Sequence, residues 1–204
     1  MKYVHIIISL IIFSNLSYSQ NSDKKEFLYD QNWRLIERTE FKEKIKESKF
    51  TYKLVENDTA LIGKILLREE VGKISMKERN SLIQYLESIT NEKIDSFKNI
   101  VINYFFKPPV NPNGSCIDNY TSDKKYKRYF KKNNRDIQFF FTQKGYEYNK
   151  KYVFEEKDEF IRKLFFKYYF SCGNYVILRS NGVFLLRRGE YRQDEIKNKI
   201  SAEW

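Results

Sequence analysis

The feature that most constrains the fold is an unbroken apolar run, NIVINYFF, at residues 99–106. A strand with one face in water alternates apolar and polar residues, whereas a strand covered on both faces is apolar almost throughout. This run therefore predicts a central strand of a sheet with helices on both sides. The segment DIQFFFT at residues 136–142 predicts a second buried strand of the same kind.

Strand patterns alternate with helical patterns along the chain. TALIGKILL at 59–67 predicts a strand, and SMKE at 75–78 is a capping box that opens a helix. Further helices are expected over 122–132, 156–166 and 193–200. This order predicts an α/β fold with a parallel centre.

The last two strands are expected to form a hairpin. GNYVILRS and VFLLRR flank Asn181-Gly182, and this dipeptide favours a two-residue turn with positive φ at both positions. The predicted sheet is therefore mixed, with an antiparallel hairpin closing it.

The first nineteen residues have the pattern of a secretory signal peptide. Lys2 precedes an apolar run at 4–13, and Ser17 and Ser19 place small residues at the −3 and −1 positions before Gln20. The run is short for a membrane span, and an uncleaved anchor is the alternative to a cleaved signal peptide. We expect an exported protein, periplasmic or secreted, with no transmembrane segment after cleavage.

Residues 20–58 are polar and weakly periodic, and they are interpreted as an N-terminal extension preceding a main domain at 59–204. A strand is expected within this extension at about residues 33–41. The sequence leaves open whether the extension packs on the main domain.

Export would remove His5, which is the only histidine in the chain. A mature chain without histidine has no Ser-His-Asp or Cys-His pair and no His-ligated zinc. Two cysteines alone do not build a Cys-rich metal site, and no calcium-loop spacing is present, so no metal and no cofactor are predicted. In an oxidising compartment two cysteines favour a structural disulfide over catalytic groups.

The formal net charge is +11, and loss of Lys2 lowers it by one. Such a balance favours anionic surfaces or acidic partners. The densest cluster is KKYKRYFKK at 124–132, where a helix would bury Tyr126, Tyr129 and Phe130 on one face. The candidate anion-binding residues are Lys124, Lys125, Lys127, Arg128, Lys131 and Lys132. A solvated helix face is the alternative, and nucleic acid is not an expected partner because these aromatics should be buried.

The element order resembles that of the thioredoxin-like family. Two features carry the resemblance: NIVINYFF leads into a loop that ends at Cys116 and then a helix, and YVILRSNGVFLLRRGEY is similar to the closing hairpin that precedes the last helix. The resemblance covers about residues 59–200. It implies a three-layer sandwich around a central mixed sheet.

The family's site residues are only partly present. The family has a C-x-x-C pair after the central strand and a cis-proline facing it before the hairpin. Here Cys116 has no second cysteine nearby, and Gly173 or Asn174 occupies the proline position. Asn113 stands where the peroxide-reducing branch has threonine.

The resemblance nevertheless implies that Cys116 and Cys172 face each other. Their Cα atoms are then expected about 4.4–6.8 Å apart, as a disulfide requires.

Three functions follow as hypotheses. The first is a non-catalytic exported module in which Cys116 and Cys172 form a structural or redox-sensitive pair. The second is thiol-disulfide oxidoreductase-like chemistry at Cys116, with its thiolate favoured by Lys124, Lys125 and Arg128 and with Cys172 as the resolving thiol. The third is binding of an anionic surface or protein partner through the basic helix at 122–135.

Overall fold

The computed structural model describes residues 24–108 and 116–204. The predicted signal peptide, and Asn113 in the proline-rich loop, lie outside the described residues. Within the described part the chain is α/β, with two mixed sheets and six helices. No helix in that part has the length and apolarity needed to cross a membrane.

Nine strands and six helices follow one another along the described chain. The strands are β1 (Lys25–Tyr29), β2 (Phe50–Glu56), β3 (Ala60–Leu67), β4 (Glu69–Lys73), β5 (Asn99–Phe105), β6 (Asp136–Thr142), β7 (Val153–Glu155), β8 (Asn174–Leu178) and β9 (Val183–Arg187). The helices are α1 (Arg38–Lys46), α2 (Met76–Thr90), α3 (Cys116–Ser122), α4 (Lys124–Lys132), α5 (Phe160–Leu164) and α6 (Gln193–Ser201).

The larger sheet has six strands in the order β4-β9-β8-β5-β6-β7. Its central strand β5 is parallel to β6 and antiparallel to β8, and β8 and β9 form the antiparallel hairpin. This confirms the two buried strands and the mixed sheet expected from the sequence.

Side chains of β5 alternate between the two faces of this sheet, and both faces are covered. Ile100, Ile102 and Tyr104 pack with α2 and α5, in a core that we call the front face. Val101 and Phe105 pack with α3, α4 and α6, in a core that we call the back face. Because both faces are buried, the strand is apolar at nearly every position.

A smaller sheet, in the order β1-β3-β2, precedes the large one. Helix α1 covers one of its faces, where Leu28, Phe41, Phe50 and Ile65 form a separate core. The strand expected at residues 33–41 is wrong, because α1 begins at Arg38. The domain boundary placed after residue 58 falls between β2 and β3, which are paired antiparallel along their length.

The hairpin is confirmed, but its turn differs from the prediction. Arg179 N donates to Val183 O at 2.8 Å, so the loop has three residues, 180–182, rather than two. Only Gly182 in this loop has a positive φ, of 83°. A three-residue loop of this kind needs a single left-handed position at its end, which glycine supplies.

The predicted helix at 156–166 is shortened to α5. Glu159 has a φ of 55°, and this left-handed conformation prevents a helix from beginning earlier. The capping box is confirmed: Ser75 Oγ accepts from Glu78 N, and the Glu78 carboxylate accepts from Ser75 N.

Candidate functional site

The disulfide joins Cys116, the first residue of α3, to Cys172, two residues before β8. The two Cα atoms are 5.1 Å apart, within the expected range. The pairing implied by the family resemblance is thus present. It ties the helix that follows the central strand to the loop that leads into its antiparallel neighbour.

The loop that carries Cys172 has an unusual backbone. Cys172 has a φ of 60° and Gly173 a φ of 101°, so two consecutive residues are left-handed. A Cβ on Gly173 would lie 3.2 Å from Tyr120, 3.2 Å from Tyr191 and 3.3 Å from Phe105. The close approach of these three rings, together with the positive φ, requires glycine and fixes the position of the neighbouring cysteine.

Helix α3 is held in place by a tyrosine clamp, which we define as the contact between Tyr120 and Tyr191. The Tyr120 hydroxyl donates to Tyr191 O at 3.1 Å and accepts from Tyr191 N at 3.2 Å. The two rings are stacked with centroids 4.5 Å apart. The clamp joins α3 to the segment around residue 190 without involving either sulfur atom.

A buried polar network lies beneath the clamp. Asn103, in the middle of β5, is fully buried, and its Oδ1 accepts from the hydroxyls of Tyr191 at 2.7 Å and Tyr126 at 3.2 Å. Its Nδ2 donates to Phe139 O at 3.1 Å. Burial raises the pKa of Tyr126 and that of Tyr191 well above the usual value, so both hydroxyls stay protonated donors.

The disulfide borders an open cleft of about 630 Å³. Both cysteines are half-buried, and the cleft is also lined by Asn119, Tyr120, Lys125, Glu190, Tyr191 and Arg192, among others. One carboxylate oxygen of Glu190 and the two sulfur atoms all lie within 4.8 Å of one another. The bond is therefore accessible to small reagents, beside a negatively charged group.

The electrostatics of the cleft differ from those expected for an activated thiol. Of the three basic residues predicted to favour a thiolate, Lys125 lines the cleft, whereas Lys124 and Arg128 are not among its lining residues. A carboxylate oxygen of Glu190 lies within 4.8 Å of both sulfur atoms, and it disfavours a further negative charge there. Nothing in the sequence spacing marks Glu190 as a neighbour of Cys116, because the β8–β9 hairpin and its turns bring it there.

Helix α4 buries its aromatic face, as predicted, with Tyr126 and Phe130 in the back-face core and Tyr129 against it. Five of the candidate anion-binding residues are exposed: Lys124, Lys125, Arg128, Lys131 and Lys132. Within residues 24–108 and 116–204 none of these five forms an ion pair.

Lys127 differs from these five residues. Its Nζ donates to Thr121 O at 2.9 Å and lies 4.4 Å from the centroid of the Tyr152 ring. It is thus engaged within the fold and is a weaker candidate for binding a partner.

Every peptide bond in the described ranges is trans, including those at Gly173 and Asn174. No protein-family model, curated protein or solved structure matches the chain. Sequence reasoning found both cysteines but missed Asn103, Tyr120, Tyr191 and Glu190. Asn103 carried a signal, since it is a polar residue inside an apolar strand, and such a residue needs buried hydrogen-bond partners.

Proposed function

We propose that the protein is an exported, non-catalytic module of the thioredoxin-like type, in which the Cys116–Cys172 disulfide is structural and sensitive to reduction. The observation that carries the proposal is the position of this bond. It links the start of the helix after the central strand to the residue just before the closing hairpin. These are the two places where the thioredoxin-like family has its cysteine pair and its facing proline.

Two further observations support a non-catalytic role. The two reactive cysteines of the family lie within a four-residue C-x-x-C motif, whereas here the two cysteines have a sequence separation of 56. A carboxylate oxygen of Glu190 lies within 4.8 Å of both sulfur atoms, and a negative charge there works against a thiolate nucleophile. Closing a loop of this length contributes roughly 4 kcal/mol on the chain-entropy model, which suits a structural bond.

The test compares the mature protein with the Cys116→Ser, Cys172→Ser double variant. We expect no free thiol before reduction, and a double variant that is folded but melts at a lower temperature. A thiol titration and thermal unfolding followed by circular dichroism measure both. An unchanged melting temperature in the double variant would contradict the structural role.

Thiol redox chemistry is a second candidate, favoured by the half-buried sulfur atoms at an open cleft. In this case the reduced protein would reduce insulin disulfides, and Cys116→Ser would abolish the turnover. Loss of turnover in that variant, with the fold intact, would replace the non-catalytic proposal.

Binding of an anionic partner is a third candidate, favoured by the five exposed cations of α4 that have no ion pair in the described ranges. We expect salt-sensitive retention on heparin or on anionic vesicles if this is the function. Replacing Lys131 and Lys132 by Gln should weaken retention more than replacing Lys24 and Lys46, which form ion pairs elsewhere.

A further inference from the structure

We propose that the reduced protein binds one thiophilic divalent cation, such as Zn²⁺, through the thiolates of Cys116 and Cys172 and the carboxylate of Glu190. The sequence predicted no metal because two cysteines are too few for a Cys-rich site. Glu190 adds a third donor that only the folded chain brings near. The inference depends on the geometry of these three groups and not on the proposed function.

The three donor atoms already lie close together. All are within 4.8 Å of one another in the disulfide form. In a tetrahedral zinc site with bonds of about 2.0–2.3 Å, donor atoms are spaced about 3.3–3.8 Å apart. Once the sulfur atoms separate on reduction, small side-chain rotations are enough to place the three donors around one ion.

The backbone segments that carry these donors are fixed independently of the disulfide. The tyrosine clamp joins α3, which begins at Cys116, to Tyr191, the neighbour of Glu190. Gly173, packed against three rings, fixes the segment of Cys172. Reduction therefore leaves the three donor segments near one another.

The open cleft leaves room for a water molecule as the fourth ligand. Two thiolates and a carboxylate carry three negative charges, so a divalent ion leaves a net charge of −1 at the site. Lys125 lines the same cleft and offsets part of this charge, whereas Arg192, also in the cleft, is paired with Asp194.

The chemistry balances with a phosphine as reductant. The phosphine gives two electrons to the S–S bond and takes the oxygen of one water to become phosphine oxide. The two protons of that water go to the sulfur atoms, so that two thiols form. The cation then displaces one proton from each thiol as the two metal–sulfur bonds form. An oxidant that accepts two electrons re-forms the disulfide and releases the ion, so the site is present only in the reduced protein.

The test uses Co²⁺ as the probe, followed by competition with Zn²⁺. The mature protein is reduced with a phosphine, freed of reductant without oxygen and titrated with Co²⁺. We expect one Co²⁺ per chain, a thiolate-to-cobalt charge-transfer band and loss of the cobalt spectrum when Zn²⁺ is added. The oxidised protein should not bind Co²⁺ in this way and should show no charge-transfer band.

Glu190→Gln separates this site from non-specific thiol binding. Loss of an outer-shell partner alone lowers metal affinity about 10–100-fold, so removal of a ligand should lower it by at least about tenfold. Glu92→Gln is the matched control, because Glu92 is an exposed carboxylate that does not line the cleft and forms no ion pair within the described ranges. It should bind Co²⁺ as the unaltered protein does.

Three binding results would overturn the proposal. These are equal binding by the oxidised and reduced proteins, unchanged affinity in Glu190→Gln, and one ion shared by two chains. Circular dichroism of the reduced, metal-free protein checks that the fold persists. Its unfolding on reduction would also overturn the proposal, since the site requires donor segments held in place without the disulfide.

Discussion

The front and back faces of the six-stranded sheet are both apolar, but they bury their polar groups in different ways. On the front face the Tyr104 hydroxyl donates to the Glu156 carboxylate at 2.8 Å, and this carboxylate also accepts from the backbone N–H groups of Ile161 and Arg162. On the back face, Asn103 is bonded to the hydroxyls of Tyr126 and Tyr191. The front face thus buries an ionisable acid that caps a short helix. At the centre of the back face the buried polar groups are the neutral Asn103, Tyr126 and Tyr191, which support the disulfide segment, and the buried acid Asp136 lies away from them at the start of β6.

This difference indicates a division of roles. The back-face network is continuous with the clamp and with the loop of Cys172, so changes there should reach the cleft. The front-face carboxylate stabilises α5, on the opposite side of the sheet from the disulfide. Matched substitutions on the two faces test whether the roles can be separated.

The largest effect is expected from Phe140→Ala and Phe141→Ala, which remove fully buried neighbours on opposite faces. Each should lower the free energy of unfolding by about 3–5 kcal/mol because of lost burial and a residual cavity. Only Phe140→Ala should also speed reduction of the disulfide by dithiothreitol, since Phe140 packs on Phe105 and Tyr126. Urea unfolding and the reduction rate measure both effects. An equal increase in the reduction rate of the two variants would contradict separate roles for the two faces.

A smaller effect is expected from Asn103→Leu, which leaves the hydroxyls of Tyr126 and Tyr191 without their acceptor. We expect a loss of about 2–3 kcal/mol, because unsatisfied buried donors retain their desolvation cost. The front-face comparator is Tyr104→Phe, which removes one hydroxyl and should cost about 1 kcal/mol. Chemical denaturation gives both values. A larger loss for Tyr104→Phe than for Asn103→Leu would reverse the comparison.

The helix caps of the two faces should be equivalent. Ser75 caps α2 on the front face, and Asp123 caps α4 on the back face by accepting from the N–H groups of Lys125 and Tyr126. Ser75→Ala and Asp123→Ala should each lower the free energy of unfolding by about 1 kcal/mol. Thermal melts of both variants provide the measurement. A several-fold difference between the two would show that one cap does more than satisfy backbone donors.

The pH dependence of stability should differ between the faces. Desolvation raises the pKa of Glu156 above its usual value, although its hydrogen bonds partly oppose the shift. The folded protein then holds this proton more tightly than the unfolded chain, so this site's contribution to stability is greatest at low pH and falls as pH rises through the folded-state pKa. The back-face tyrosines Tyr126 and Tyr191 remain protonated as Glu156 loses its proton, because burial raises the pKa of each.

The variant Glu156→Gln should remove this fall. The stability of the unaltered protein relative to Glu156→Gln is expected to decrease as pH rises from the ordinary glutamate value of 4.5 towards neutral pH, as measured by urea unfolding. Glu203→Gln, at an exposed position near the end of the chain, is the control and should show a constant difference. A constant difference for Glu156→Gln as well would show that the carboxyl does not change its protonation over this interval.

The sequence predicted the strands and helices that are marked by a pattern of adjacent residues. NIVINYFF and DIQFFFT became β5 and β6 because an uninterrupted apolar run has a low free energy only when both faces are covered. The capping box marked the start of α2 for a similarly local reason. The strand β4, with the sequence EEVGK, was missed because three of its five residues are charged and its position depends on pairing with β9.

The site was predicted only in part, for the same reason. The family resemblance placed Cys116 opposite Cys172, but Glu190 and the clamp depend on contacts between residues far apart in the chain. Tyr120 and Tyr191 are 71 positions apart, and no pattern of spacing predicts their double hydrogen bond. Of the N-terminal sheet only β3 was predicted, because β1 and β2 each bury a single side chain and so show weak periodicity.

Arg68 lies between β3 and β4, and its backbone is hydrogen-bonded on both sides, towards the small sheet and towards the large one. Its N–H donates to Lys49 O beside the small sheet, and its C=O accepts from Arg188 N beside the large one. If the small sheet opens by itself, the amide proton of Arg68 exchanges with solvent while that of Arg188 stays protected. These two neighbouring amides therefore report, in one hydrogen-exchange measurement, whether the protein unfolds as a single cooperative unit or as two.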